Sequence, residues 1–181
     1  MTTQLRTERL LLNPFRAEDA ARVAALAGNW KVARMTARIP HPYSEELARQ
    51  WIAEQALGDG CLCAIRLEEE LVGAVGLERT APGQHELGYW IGEPWWSMGI
   101  ATEAAGRIVR FAIEDLGARV LNAGYLHDNP ASGRVLAKCG FVLTGEVLQW
   151  CEARGQAVKC HRLTLAIGGR GPGMADVSAK R

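Results

Sequence analysis

No apolar run in the 181-residue sequence approaches the roughly 20 residues a membrane helix needs. No block of one charge sign occurs either: 21 Lys and Arg stand against 20 Asp and Glu, a net charge of +1. A nucleic-acid surface announces itself as a basic stripe or excess, so neither a membrane nor a nucleic acid is an expected partner. The first residues lack the apolar core of a secretory signal, which points to a cytoplasmic protein. Cysteine is present without a pattern. Five occur, at positions 61, 63, 139, 151 and 160, with no Cys-x-x-Cys pair. Cys61 and Cys63 would share a strand face and Cys160 precedes His161, but scattered intracellular cysteines are more often small buried apolar residues, so no metal is expected. Two common phosphate signatures are also missing: no Gly-rich loop ends in Lys-Ser or Lys-Thr, and no Gly-x-Gly-x-x-Gly follows a first strand.

The chain has the length of one domain with a full hydrophobic core. A strand is expected over residues 5–12, then a helix over 18–27 whose Ala20, Val23, Ala24 and Ala27 share a face. A second helix starts at Ser44, a good N-cap followed by Glu45 and Glu46, and runs to Gly58. Residues 61–67 and 71–77 read as a hairpin joined through three glutamates, with Gly73 and Gly76 suggesting close backbone approach or a bulge. Further strands are expected at 85–91, 120–126, 141–148 and 159–167, with helices at 100–116 and 131–139. Strands that precede, separate and follow helices imply an α/β sandwich, a mixed sheet with helices on both faces. Residues 1–167 form this domain. Residues 168–181, opening with four glycines and a proline in six residues, read as a flexible tail.

Within that frame the chemistry gathers around Gly92-Glu93-Pro94-Trp95-Trp96-Ser97-Met98-Gly99-Ile100-Ala101-Thr102. A strand leads into this loop and a helix leaves it. Helix N-termini offer unpartnered N–H groups and the positive end of the macrodipole, and Gly99 lets an anion approach without meeting a Cβ. The loop is read as a diphosphate site. About thirty residues on comes Asn129-Pro130-Ala131-Ser132-Gly133-Arg134-Val135-Leu136-Ala137-Lys138-Cys139-Gly140-Phe141.

Together these segments resemble the acetyl-CoA-binding motifs of the GCN5-related N-acetyltransferases (GNATs). The runs ELGYWIGEPWW, GIATEA and NPASGRVLAKCGF are similar to the RimJ/RimL branch, and the resemblance covers roughly residues 7–167. It implies a mostly antiparallel twisted sheet with a splayed central strand pair. It also implies acetyl-CoA as cosubstrate, with pantetheine held along Tyr89, Trp90 and Ile91 and the diphosphate on Met98, Gly99, Ile100, Ala101 and Thr102. Asn129 and Ser132 would reach the pantetheine and the thioester sulfur, Ser132 as general acid; both also suit capping of the following helix. In one departure, Trp96 stands where the wider family prefers Gln or Arg. Lys138, Gly140 and Phe141 read as a helix-end cation, the C′ residue and core.

Strand alternation puts Glu86, Gly88 and Trp90 on one face and His85, Leu87, Tyr89 and Ile91 on the other. Glu86 lies where this branch commonly carries an acid facing the acceptor amine, which makes it the candidate base or amine-orienting group; His85 and His127 are its rivals. The demand on a base depends on the acceptor: at pH 7.5 an α-amine is about a quarter neutral, and a lysine amine about 0.1%. The resemblance assigns the acceptor wall to residues 30–43, where Trp30, Arg34, Arg38, His41 and Tyr43 are substrate-binding candidates. Glu103 is expected to pair with Arg107 one turn on. The chain is read as an N-acetyltransferase of a primary amine, plausibly a protein N-terminus, working as a monomer or homodimer. A small amine, amino acid or antibiotic is the alternative acceptor, and a non-catalytic CoA-binding regulatory domain the alternative of another class.

Overall fold

The computed structural model describes residues 4–55 and 60–167. The tail expected at 168–181, and Gly58 as the stop of the second long helix, lie outside the described residues. Among these, eight strands form one sheet in the order β1-β2-β3-β4-β5-β6-β8-β7. In chain order they are β1 (Leu5–Arg6), β2 (Leu10–Asn13), β3 (Cys61–Leu67), β4 (Glu70–Ala81), β5 (Gln84–Ile91), β6 (Val120–Leu126), β7 (Val142–Cys151) and β8 (Gln156–Ala166). The helices are α1 (Ala20–Ala27), α2 (Trp30–Ala33), α3 (Glu45–Gln55), α4 (Ile100–Glu114) and α5 (Pro130–Lys138). Neighbouring strands run antiparallel, except that β5 and β6 are parallel.

Both faces of the sheet are covered, because the helices carry apolar stripes and the strands alternate. On one face α4 presents Ile100, Ala104, Ala105, Ile108 and Ala112 to Leu12, Ile65, Val75 and Leu87. On the other, Ala20, Val23 and Ala27 of α1 join Ala48 and Ile52 of α3 over Ala64 and Leu71. Full burial of an Ile, Leu or Val side chain among them contributes about 1.5–3 kcal/mol, so each layer is held chiefly by packing. One sealed ion pair ties the second layer down: Arg66 Nη2 donates to Asp19 Oδ2 at 2.7 Å, with both side chains more than nine-tenths buried. β5 obeys its alternation, with Leu87, Tyr89 and Ile91 against the α4 cluster and Trp90 against the α1/α3 cluster.

The single strand expected over 5–12 is two short antiparallel strands, with Leu5 opposite Leu12. Thr7 causes the reversal: its N–H donates to the Leu10 carbonyl, and its Oγ1 accepts from the Leu10 N–H at 2.8 Å. A short helix, α2, stands at the start of the 30–43 segment, capped by Asn29, whose side chain accepts from Lys31 N–H. Ser44 caps α3 as expected, accepting from Leu47 N–H. Gly73 and Gly76 do lie where backbones crowd. A Cβ on Gly73 would stand 2.4 Å from the Trp90 carbonyl oxygen, and the register of β3 on β4 shifts between Ile65 and Arg66.

Candidate active site

The site begins where two strands part. β5 pairs with β6 only from Gln84 opposite Val120 to Leu87 opposite Ala123. β5 then continues to Ile91 and β6 to Leu126, so the facing edges of Gly88–Ile91 and Gly124–Leu126 are opened to each other without a ladder between them. An extended chain with amide groups fits such a gap, because exposed strand edges are rows of hydrogen-bonding groups.

At the far end of β5 the chain passes through a short 3₁₀ turn, Glu93–Trp95, into the glycine loop. Trp96 does not face that loop as a phosphate ligand; its indole N–H donates to the Ile91 carbonyl at 2.7 Å and closes the turn against the strand. Ser97 and Gly99 both adopt positive φ, 65° and 78°. Gly99 is the N-cap of α4 and no side chain caps that helix, so the backbone of residues 99–102 keeps an anion-ready terminus. Met98, Gly99, Ile100, Ala101 and Thr102 are thus brought together as a continuous turn. Glu103 does not pair with Arg107. It accepts from Thr7 Oγ1, from the Arg9 N–H and from Arg9 Nε at 2.8 Å, because the β1–β2 reversal delivers residues 7–9 to the start of α4. Burial pushes the Glu103 carboxyl up, but these bonds and the Arg9 charge outweigh it and leave the carboxyl below its ordinary range.

Across the gap, α5 begins at Asn129, whose Oδ1 accepts from the Ser132 N–H at 3.2 Å. Asn129 therefore serves as the helix cap. Ser132 does not cap, since its own N–H is the capped group; its Oγ is 2.7 Å from Tyr89 Oη, and Tyr89 also donates to the Ser132 carbonyl at 3.1 Å. Burial pushes the Tyr89 phenol up to about 12, against the opposing effect of the Ser132 hydrogen bond. Tyr89 and Ser132 bridge the two sides of the gap as a pair of hydroxyls. Gly133 is required there, since a Cβ would stand 2.7 Å from the Tyr125 ring.

On the opposite face, Arg162 Nη1 and Nη2 donate to the two oxygens of Glu86 at 2.9 and 3.0 Å. The Arg162 hydrogen bonds, and secondarily the charges of Arg162 and Arg38, hold the Glu86 carboxyl below its ordinary range despite partial burial. His85, its rival, is on the α4 face and buried, and His127 is exposed. Above Gly88 a Cβ would meet nothing within 4 Å, leaving open space between Glu86 and Trp90.

Residues 9–142 match the family model for the acetyltransferase (GNAT) domain. The chain belongs to the GNAT family. It is 27% identical over 168 residues to an uncharacterised N-acetyltransferase of Bacillus subtilis, YoaA, covering 83% of this chain and 89% of that one. It is 28% identical over 92 residues to the Escherichia coli ribosomal protein uS5-alanine N-acetyltransferase, covering 49% and 47% of the two chains. The fold superposes with a TM-score of 0.81 on RimL, a ribosomal L7/L12 α-N-protein acetyltransferase in complex with coenzyme A, at 18% identity and 91% and 98% coverage. The protein is accordingly an acyltransferase with a GNAT fold.

In this GNAT the segment expected to wall the acceptor is tied by ion pairs to distant parts of the chain. Arg34 Nη2 and Arg154 Nη2 both donate to Asp128 Oδ2 at 2.9 Å, Arg154 Nε donates to the Arg34 carbonyl at 2.7 Å, and the Glu152 N–H donates to the Ala37 carbonyl. Arg38 pairs with Glu78 at 2.6 Å. His41 approaches the Gly28 carbonyl at 2.9 Å and its ring packs on Trp30, while Tyr43 packs against the α1/α3 cluster. So Arg34 and Arg38 face carboxylates on other elements, whereas His41 and Tyr43 fix the segment to α1 and its neighbours. Asp128, Arg154 and Arg162 are the residues that sequence reasoning missed. Each lies far along the chain from its partner: the sheet order β5-β6-β8 brings Arg162 to Glu86, and the turns after β6 and β7 meet the end of α2 at Asp128, Arg154 and Arg34. Among the described residues no group of three His, Cys, Asp or Glu side chains could hold a metal ion, and no helix is long and apolar enough to cross a membrane.

Proposed function

We propose that this GNAT enzyme uses acetyl-CoA to acetylate a primary amine by direct attack in a ternary complex, and that the acceptor is the α-amine of a protein N-terminus. Acetyl-CoA supplies an acyl group already activated as a thioester. Backbone edges of Tyr89, Trp90 and Ile91 would hold its pantetheine arm in the β5–β6 gap, and the N–H groups from Met98 to Thr102 its diphosphate. The Ser132 hydroxyl, hydrogen-bonded to Tyr89 Oη at 2.7 Å, would deliver a proton to the leaving sulfur and be restored through solvent by the proton that the attacking nitrogen releases as the amide forms, and Asn129 would fix the turn that presents it.

The observation that carries the acceptor assignment is the bidentate Glu86–Arg162 pair. A carboxylate held low by a guanidinium accepts a hydrogen bond from an amine N–H well and removes a proton poorly. Such a site suits an amine that is already substantially neutral near pH 7.5, and an α-amine is so whereas a lysine amine is not. The relatives that modify ribosomal proteins agree with this reading.

Thiol release from acetyl-CoA tests it, run against peptides beginning Ala, Ser or Met, against free amino acids and polyamines, and against aminoglycosides. Turnover confined to peptides with a free α-amine is the expected outcome. Turnover with a small amine alone would replace the acceptor, and CoA binding without turnover across the panel would favour a non-catalytic CoA-binding domain.

A further inference from the structure

The diphosphate loop has no cation of its own: residues 95–102 read Trp-Trp-Ser-Met-Gly-Ile-Ala-Thr. A guanidinium nevertheless stands at its edge, delivered from the other end of the domain. Arg9 reaches from the β1–β2 reversal so that Nη1 and Nη2 donate to the Met98 carbonyl at 3.1 and 3.2 Å. Its Nη2 lies 3.6 Å from where a Cβ on Gly99 would be. Nε and Nη2 meet Glu103 Oε2 at 2.8 and 2.6 Å. These contacts use at most four of the five guanidinium N–H bonds, and the Arg9 side chain stays 43% exposed. The positive charge is therefore immobilised beside Gly99 and still open to solvent on one side.

We propose that Arg9 is a positioning residue for the CoA diphosphate, supplying the charge that the loop sequence lacks, with Glu103 as the counter-ion that limits its strength. The proposal rests on the reading of residues 98–102 as the diphosphate site. A charge held by two fixed acceptors, the Met98 carbonyl and Glu103 Oε2, loses little freedom when an anion arrives, so its contact with phosphate is preorganised. The carboxylate of Glu103 acts in the opposite sense, because it faces the same guanidinium and would repel a phosphate nearby.

That opposition gives the two residues effects of opposite sign, which a purely mechanical clamp between the β1–β2 reversal and α4 would not. Calorimetric titration of CoA and of pantetheine, which has no phosphate, into the wild-type protein and into Arg9→Gln, Arg9→Lys and Glu103→Gln between low and high salt reads both. Arg9→Gln should weaken CoA about tenfold, the low end of what a hydrogen bond to a charged group contributes, flatten its salt dependence and leave pantetheine unchanged. Arg9→Lys should retain part of the affinity, and Glu103→Gln should tighten CoA. Unchanged CoA affinity in Arg9→Gln overturns the proposal, as does a Glu103→Gln variant weakened like Arg9→Gln. Failure of the underlying reading looks different: the wild-type protein would then bind CoA no more tightly than pantetheine.

Discussion

Gly88 and Gly99 mark the two halves of the proposed site, and they are glycines for different reasons. Gly99 has φ +78°, and an added Cβ would meet only Arg9 Nη2, at the ordinary contact distance of 3.6 Å; its constraint is conformational. Gly88 has no positive φ, and an added Cβ there would meet nothing within 4 Å; what it keeps is empty volume over the face proposed for the acceptor. The cofactor half is made of backbone, and local sequence fixes backbone conformation. The proposed acceptor half is made of side chains from β5, β8, the turns after β6 and β7, and the 30–43 segment, held in long-range ion pairs.

The sharpest way to break this contrast is to substitute both glycines. Gly99→Val places a β-branched residue in left-handed backbone, where even an ordinary L-residue costs about 1–2 kcal/mol, so CoA affinity should fall at least about tenfold by calorimetry. Gly88→Val should leave CoA affinity unaltered while the acceptor KM rises. A Gly88 variant that lost CoA as severely as the Gly99 variant would dissolve the division into two halves.

The same contrast explains what could be read in advance. Glycine, the N-cap residues and the helical period from Ile100 act within a few residues of themselves, so the α4 terminus, α5 and the β5 alternation were legible. The β1–β2 reversal was not, because Leu10, Leu11 and Leu12 continue an apolar run and only the Thr7 side chain signals the turn. Glu103 looked like a partner for Arg107 for a similar reason: an i,i+4 spacing is visible in sequence, whereas a guanidinium arriving from residue 9 is not. Arg154 and Arg162 are ordinary strand-end and strand residues until β8 is inserted between β6 and β7.

A smaller effect is expected at Asp128. It accepts from both Arg34 and Arg154, and the Arg154 side chain is only 11% exposed. Burial pushes the Asp128 carboxyl up, but the Arg154 hydrogen bond and the two guanidinium charges hold it below its ordinary range. Removing it leaves a largely buried cation without its carboxylate, a defect that costs about 1–3 kcal/mol when the site is partly wet. Asp128→Ala should lower urea stability by that order and raise the acceptor KM, with acetyl-CoA binding retained. Loss of acetyl-CoA binding instead would place the Arg34–Asp128–Arg154 group in the cofactor half.

Glu86→Gln should reduce turnover modestly, about tenfold, less than the 10²–10⁴-fold contribution of a full general base. Glu86 is depressed below its ordinary range, so it stays ionised throughout pH 5.5–9. The rate should therefore rise with pH along the acceptor's own amine titration, in the wild type and the variant alike. A rate limb near neutrality that disappears in Glu86→Gln would restore the carboxylate as the base.

The smallest expected effect is on stability alone and comes from His85, the rival candidate for the base. His85 is 9% exposed on the α4 face, its Nδ1 is buried without a hydrogen-bond partner among the described residues, and Arg79 is its cross-strand neighbour on β4. Burial first, and the Arg79 charge second, lower its pKa from 6.5. The folded protein thus holds a neutral imidazole at pH values where the unfolded chain has already taken up a proton. With more protons bound in the unfolded state, stability rises with pH across that window: it is complete above pH 6.5 and declines as the pH falls through 6.5 toward the folded value. Urea denaturation of the wild type and His85→Leu between pH 5 and 7.5 should show a slope in the first that is flattened in the second. Equal slopes would mean that acid destabilisation arises from the carboxylate pairs of the acceptor half rather than from this imidazole.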